Sequence, residues 1–226
     1  MNRLQKCQTQ NISLYRKTKT RVLDLIFPKK CAGCQSLDKW LCSSCQHKVL
    51  SQQPIIRQWK NLTVYSLANY RSKEVQNLIN YLKYQGVTEV ADTLAQLLSI
   101  YFQQFIFQDV DLITAIPLHR RRMAERTFNQ AQLITQELSL LLEIPLADLL
   151  ERTRYSLSQT SLSDTDRQQN VQDIFSLQAD IPKNFIGRTV LLVDDVVTSG
   201  ATLESASQVL LEGGAYKVIG LTVASR

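Results

Sequence analysis

The chain has 226 residues, enough for one α/β domain of ordinary size and a small appendage. Its 44% hydrophobic and 20% charged residues are the balance of a soluble globular protein. No apolar run approaches the ~20 residues that span a bilayer, and the polar N-terminus has no apolar signal core, so a cytoplasmic location is expected.

The net charge of +6 is unevenly spread. Residues 1–30 carry eight Lys or Arg and one acid, whereas residues 31–226 are nearly neutral. Residues 1–17 are polar and Gln-rich and read as flexible. A basic arm of this kind either meets an anionic partner such as nucleic acid or is a solvated terminus. Thr20 to Phe27 predicts a short helix, which Pro28 stops. The cysteine segment, Cys31 to Cys45, runs into a short helix toward Leu50, and Pro54 marks a break. Leu62 to Leu67 predicts a strand.

Val75, Leu78, Ile79 and Leu82 recur at helical spacing and predict a helix over Glu74 to Tyr84, capped by Gly86. A second helix is predicted over Val90 to Phe105. Val110 to Ile116 predicts a strand closed by Pro117. Thr127 to Leu142 predicts a helix with Leu133, Ile134, Leu138, Leu141 and Leu142 facing inward. The polar stretch 153–170 reads as a long loop, and Arg152 to Asn170 is either a plain surface loop or a lid over a ligand. Thr189 to Val193 predicts the central strand, Ala201 to Leu211 a helix, and Lys217 to Val223 the last strand, after a Gly213-Gly214 turn. This alternation implies an α/β fold: a parallel sheet flanked by helices, with ligands beyond the carboxyl ends of the strands.

Cys31-x-x-Cys34 and Cys42-x-x-Cys45 can supply four thiolates to one tetrahedral zinc. Four thiolates leave no open coordination position, so such a zinc is structural. Trp40 and Leu41 can pack over the gap between the knuckles. A redox dithiol is the alternative, but its usual βαβ setting is missing. His47 is expected to be exposed rather than a ligand, and Cys7 has no evident role.

The most informative stretch is Val190 to Thr202. Four apolar residues lead into Asp194 and Asp195, and the bend Thr198-Ser199-Gly200-Ala201-Thr202 then opens a helix. Free N–H groups and the helix dipole make such a bend an anion cradle. Two carboxylates beside a phosphate make sense if the ligand also carries hydroxyls, as a ribose 5-phosphate does. A second basic constellation, His119 to Arg126, holds four arginines directly after the Val110–Ile116 strand. Guanidinium forks there suit a pyrophosphate, and a solvated charged loop is the plainer reading.

The Val190–Thr202 segment resembles the phosphoribosyl-diphosphate motif of type I phosphoribosyltransferases. The resemblance implies that Asp194 and Asp195 hold the ribose hydroxyls. It also implies that Thr198, Ser199, Gly200, Ala201 and Thr202 wrap the 5-phosphate. Ile116-Pro117-Leu118-His119-Arg120-Arg121-Arg122, followed by Glu125-Arg126-x-Phe128-Asn129-Gln130-Ala131, resembles the ComF family, with Thr127 where that family mostly has Gly. Leu82-Lys83-Tyr84-x-Gly86, Gln159, Leu162, Arg167, Asn170, Val171 and Phe27-Pro28 with the four cysteines extend the likeness from about Leu23 to the end.

The resemblance implies a flexible basic arm over 1–20, a zinc finger over 21–55 and a phosphoribosyltransferase-like domain over 56–226. Asp194, Asp195 and Arg120 would be catalytic; Pro117, Leu118, His119, Arg126 and Arg167 would join the bend in binding ligand. Magnesium would accompany phosphoribosyl diphosphate, and zinc would sit on the cysteines. Three functions are compatible with this. One is a phosphoribosyltransferase of unknown acceptor linked to DNA uptake in natural transformation. Another is a non-catalytic competence module binding single-stranded DNA, a helicase or another competence protein. The third is a phosphoribosyl-diphosphate-sensing regulator. Aromatics in the arm are few (Tyr15, Phe27), which gives poor support for a base-stacking platform.

Overall fold

The computed structural model describes residues 28–106, 109–119, 123–124, 127–153, 174–182 and 185–226. The proposed arm, the Thr20–Phe27 helix, Cys7, most of the 153–170 loop, Arg120 to Arg122, Arg126 and Arg167 lie outside them.

The elements in chain order are α1 (Ser43–Leu50), β1 (Ile55–Trp59), β2 (Leu62–Asn69), α2 (Lys73–Tyr84), α3 (Val90–Phe105), β3 (Leu112–Ala115), α4 (Gln130–Leu142), β4 (Leu150–Arg152), β5 (Phe175–Leu177), β6 (Thr189–Val197), α5 (Ala201–Glu212) and β7 (Lys217–Ser225). The main sheet has the order β1-β2-β7-β6-β3. β2, β7, β6 and β3 run parallel, and β1 is antiparallel to β2, so the sheet is mixed rather than parallel throughout. β7, not β6, holds the middle position. β4 and β5 form a separate antiparallel pair.

β2, β7, β6 and β3 are largely apolar because both of their faces are covered, unlike the edge strand β1. Successive side chains point to opposite faces, so β6 splits its residues between two cores. Leu191 and Val193 join Leu67, Ile219, Leu221 and Val223 beneath α2, α3 and α4. Val190 and Leu192 join Leu62, Val64 and Val218 beneath Leu203, Ala206 and Leu210 of α5, together with Leu150 and Phe175 of the small sheet. Ser66 and Thr222, the polar pair inside β2 and β7, satisfy each other at 2.8 Å.

The sequence pattern missed β1. Its connection to β2 is a two-residue hairpin through Lys60 and Asn61, with no Asn-Gly or Asp-Gly signal, and Lys60 takes φ 23°. β6 continues four residues past its predicted end, through the acids to Val197. α4 starts at Gln130 rather than Thr127, because Asn129 caps it by accepting a hydrogen bond from Ala131 N–H at 3.1 Å. Thr127 before it takes φ 64°, a left-handed conformation that explains the family's glycine there. Leu141 is 44% exposed, against the inward facing expected of it. The buried stripe of α4 runs through Ala131, Ile134, Thr135 and Leu138 and stops there, and the helix ends at left-handed Glu143.

The cysteine segment packs on α2 and α3 and shares their core. Ala32, Leu41 and Val49 are buried with Val75, Leu78 and Leu94. Asn77 of α2 donates to the Ala32 carbonyl at 2.7 Å. Lys48 of α1 pairs with Glu74 of α2 at 2.6 Å, and this hydrogen bond holds the Glu74 carboxyl below its ordinary range. Trp40 donates to Glu89 at 3.3 Å and packs on Tyr81 with ring centroids 5.8 Å apart.

Candidate functional site

The strand ends place the site residues. β6 carries Asp194 and Asp195 toward the carboxyl edge of the sheet, and its neighbour β3 leads through Ile116 to Pro117 at the same edge. Both acids are half-buried, neither sealed in the core nor fully solvated. Asp194 accepts the Asp195 backbone N–H at 2.8 Å. Asp195 pairs with Lys83, at the end of α2, at 2.8 Å, with the two side chains only 14% and 15% exposed. Burial, and then the charge of Asp195, push the Asp194 carboxyl up to about 7, against the opposing pull of Lys83 and Arg152. Two adjacent carboxylates with one nearby ammonium thus share a site that resists a second negative charge.

Beyond Val197 the chain bends. Thr198 and Ser199 are exposed, Gly200 is buried, and Ala201 and Thr202 are half-buried in the first turn of α5. Gly200 has φ 84°, and a Cβ there would lie 2.4 Å from the Trp59 ring, so only glycine fits. Gly200 makes no side-chain cap, which leaves the first N–H groups of α5 for another partner.

Pro117, Leu118 and His119 line a cavity of about 510 Å³ with Leu150, Glu151, Arg152 and Thr153 of the β4 region and Gln178. Arg152 lies over the Phe175 ring at 5.5 Å. Its charge also acts on Asp194, which links the cavity to the acids. Asn129 holds the entry to this edge: besides capping α4, it donates to the Ile116 carbonyl at 2.9 Å.

Lys83, Asn129 and Arg152 belong to this neighbourhood; Arg152, counted from sequence with the lid, ends strand β4 instead, and Lys83 and Asn129 have no place at the acids in the sequence reading. Lys83 and Asn129 lay inside the matched Leu-Lys-Tyr-x-Gly and Phe-Asn-Gln motifs. A polar residue fixed inside a motif without a helical-pattern role was the available signal.

The second constellation is complete. The ligand atoms of Cys31, Cys34, Cys42 and Cys45 all lie within 4.8 Å of one another, and Cys34 and Cys42 sulfurs are 3.6 Å apart. A tetrahedron with metal–sulfur bonds of ~2.3 Å has edges of ~3.8 Å, so the donor set fits zinc. The Cys42 N–H donates to Cys31 Sγ at 3.3 Å. Burial raises the Cys31 thiol, but N–H groups of Cys42, Cys34 and Gly33 outweigh it and bring it to about 6. Burial and the neighbouring sulfurs push Cys45 up to about 12. The Cys45 thiol therefore keeps a proton that a bound cation would displace. Gly33 is obligatory here, since a Cβ would fall 2.6 Å from Cys45 Sγ. His47 is exposed and bonds Ser51 at 3.3 Å, outside the cluster, as expected.

Residues 88–226 match the model of the phosphoribosyl transferase domain. Competence protein F of Haemophilus influenzae is 32% identical over 206 residues, covering 83% of this chain and 86% of that protein. DNA utilization protein YhgH of Escherichia coli K12 is 32% identical over 200 residues, covering 83% and 85%. The chain belongs to the ComF family. A more distant relative, competence protein ComFC of Bacillus subtilis, is 29% identical over 155 residues, covering 69% of this chain and 59% of its own. The ComF-family chain has the type I phosphoribosyltransferase fold, a mixed sheet flanked by helices, and a cysteine cluster near its N-terminus that can hold a metal ion. Among the described residues, no helix is long and apolar enough to cross a membrane.

Proposed function

We propose that this chain binds phosphoribosyl diphosphate with magnesium and transfers the phosphoribosyl group to an acceptor, in the cytoplasm, as part of DNA uptake. The observation that carries the reading is the pair Asp194–Asp195, half-buried at the end of β6, followed by the exposed Thr198–Ser199 bend and the open N-terminus of α5. Carboxylates accept the ribose hydroxyls, and Thr198, Ser199, Gly200, Ala201 and Thr202 receive the 5-phosphate. Pro117, Leu118, His119, Arg120, Arg126 and Arg167 take the diphosphate.

The oxygen donors of the two acids suit a hard cation, and magnesium, when bound, would neutralise the diphosphate. In the reaction the bond from the anomeric carbon to the diphosphate oxygen breaks, and the diphosphate leaves with the electron pair. The acceptor forms the new bond to that carbon and gives up a proton. The protein's part is positioning and electrostatics: Asp194 and Asp195 fix the sugar, and Arg120 stabilises the leaving charge. Zinc on Cys31, Cys34, Cys42 and Cys45 would serve the fold only.

Titration calorimetry tests this. The wild-type chain should bind phosphoribosyl diphosphate in a magnesium-dependent way, and Asp194→Asn with Asp195→Asn should abolish it. Unchanged binding by the double variant would defeat the assignment. A screen for diphosphate release across nucleobases would then find the acceptor.

A second reading is a non-catalytic module that binds single-stranded DNA. The cleft between the cysteine segment and α3, about 290 Å³, offers Lys29, Lys39 and Trp40, but Asp38 and Asp92 line it too and Lys29 is paired with Glu89 at 2.7 Å, so its charge gives this reading little support. A non-catalytic module of this kind, working with a helicase or another competence protein, would keep its gel shift on single-stranded DNA when both acids are changed.

A further inference from the structure

The bend after β6 is held from outside by β1, the strand that no motif predicted. Arg57 donates through Nη1 to the Thr198 carbonyl at 2.9 Å and through Nη2 to the main-chain oxygen of Arg226. The Arg226 N–H in turn donates to the Val197 carbonyl at 2.9 Å. Two consecutive carbonyls, Val197 and Thr198, are therefore tied down on one side. In a trans peptide the C=O and the following N–H point in opposite directions. The N–H groups of Thr198 and Ser199 are thus turned away from Arg57 and Arg226, toward the open side of the bend. Two residues further along β1, Trp59 fills the space behind Gly200, where even a methyl group would collide with its ring.

We propose that Arg57, with Trp59, is a positioning residue for the 5-phosphate: it aims the peptide groups of the bend at the anion without touching the ligand. The inference rests on the phosphoribosyl-diphosphate reading above and adds to it a dependence on the hairpin β1–β2. The guanidinium is suited to the role because its planar fork reaches two main-chain oxygens from one fixed geometry. An ammonium in its place keeps the charge and loses the fork.

Calorimetry with three probes, each with magnesium, tests the idea: phosphoribosyl diphosphate, ribose 5-phosphate and inorganic pyrophosphate. Arg57→Gln should weaken the two probes that carry a 5-phosphate by about tenfold and leave pyrophosphate unchanged. Arg57→Lys should behave like Arg57→Gln, since restored binding would mean that Arg57 acts by long-range charge alone and would overturn the proposal. Equal weakening of all three probes would also overturn it, as a general loss of fold or field. So would wild-type affinity for all three in Arg57→Gln, with the functional reading left standing. If the wild-type chain bound none of the probes, the functional reading itself would fall and this inference with it. Trp59→Ala is a second variant, expected to show the same selectivity.

Discussion

The cysteine cluster and the acid site differ in how they are assembled. All four thiols come from the short segment Cys31–Cys45, with Gly33 admitting the Cys45 sulfur between them. The acid site draws Lys83 from the end of α2, Arg57 and Trp59 from β1, Arg152 from β4 and Asn129 from the start of α4 around a few residues of β6. A local cluster is written in spacing. A distributed one depends on which strands become neighbours, and spacing carries no record of that.

That contrast can be broken at its local end first. Cys42→Ser should cost the protein its metal. Elemental analysis should find zinc in stoichiometric amount in the freshly purified, reduced wild-type chain and little in the variant. The unfolding temperature should fall on the order of 10 °C, because metal binding in such clusters is folding free energy. A wild-type chain without zinc would reduce the cluster to packed thiols.

The distributed end responds to pH. Folding raises Asp194 from its ordinary 3.8 to about 7, so the folded chain holds that proton more tightly than the unfolded one. The stability it contributes is fully present below the unfolded value and is lost as pH rises through about 7. Denaturant titrations should show wild-type stability declining over that window and Asp194→Asn lacking the decline. Ligand binding should run the opposite way and tighten over the same rise, as the carboxylate ionises to accept hydroxyls. A flat pH profile for both quantities would mean that Asp194 is solvated like any surface acid.

The smallest effect is expected at Thr127, outside both clusters. A β-branched residue at φ 64° is strained by about 1 kcal/mol, part of which glycine's greater unfolded-state freedom offsets. Thr127→Gly should therefore raise the unfolding temperature by no more than a few degrees. A fall would show that contacts of the threonine side chain outweigh its backbone strain.

Much of the architecture was legible. The long helices α2 and α3 carry clean 3.6-residue periods, and β6 and β7 are apolar runs bounded by turns. The acid pair and hydroxyl bend were readable because the chemistry lies in adjacent residues. β1 was not, since Ile-Ile-Arg-Gln-Trp is short and its turn uses Lys60-Asn61 in place of a glycine pair. The continuation of β6 through Asp194 and Asp195 was hidden because two carboxylates look like a strand's end, whereas pairing with Thr222 and Ala224 of β7 carries the ladder on. Leu141 shows the converse: an apolar run at the helix end does not say which of its members turns inward, and here Leu142 packs on the core while Leu141 is left exposed.

Helix α2 connects the two regions. Near its start, Glu74 and Asn77 grip the cysteine segment, and near its finish Lys83 grips Asp195. The grips are about 9 to 14 Å apart along a rod that bends little over such a length. Fraying at the thiol end would unmoor the whole rod, and the ammonium at its far tip would drift with it. Amide exchange along α2 should accordingly follow the occupancy of the cysteine cluster as one cooperative unit, so that each end reports on the health of the other.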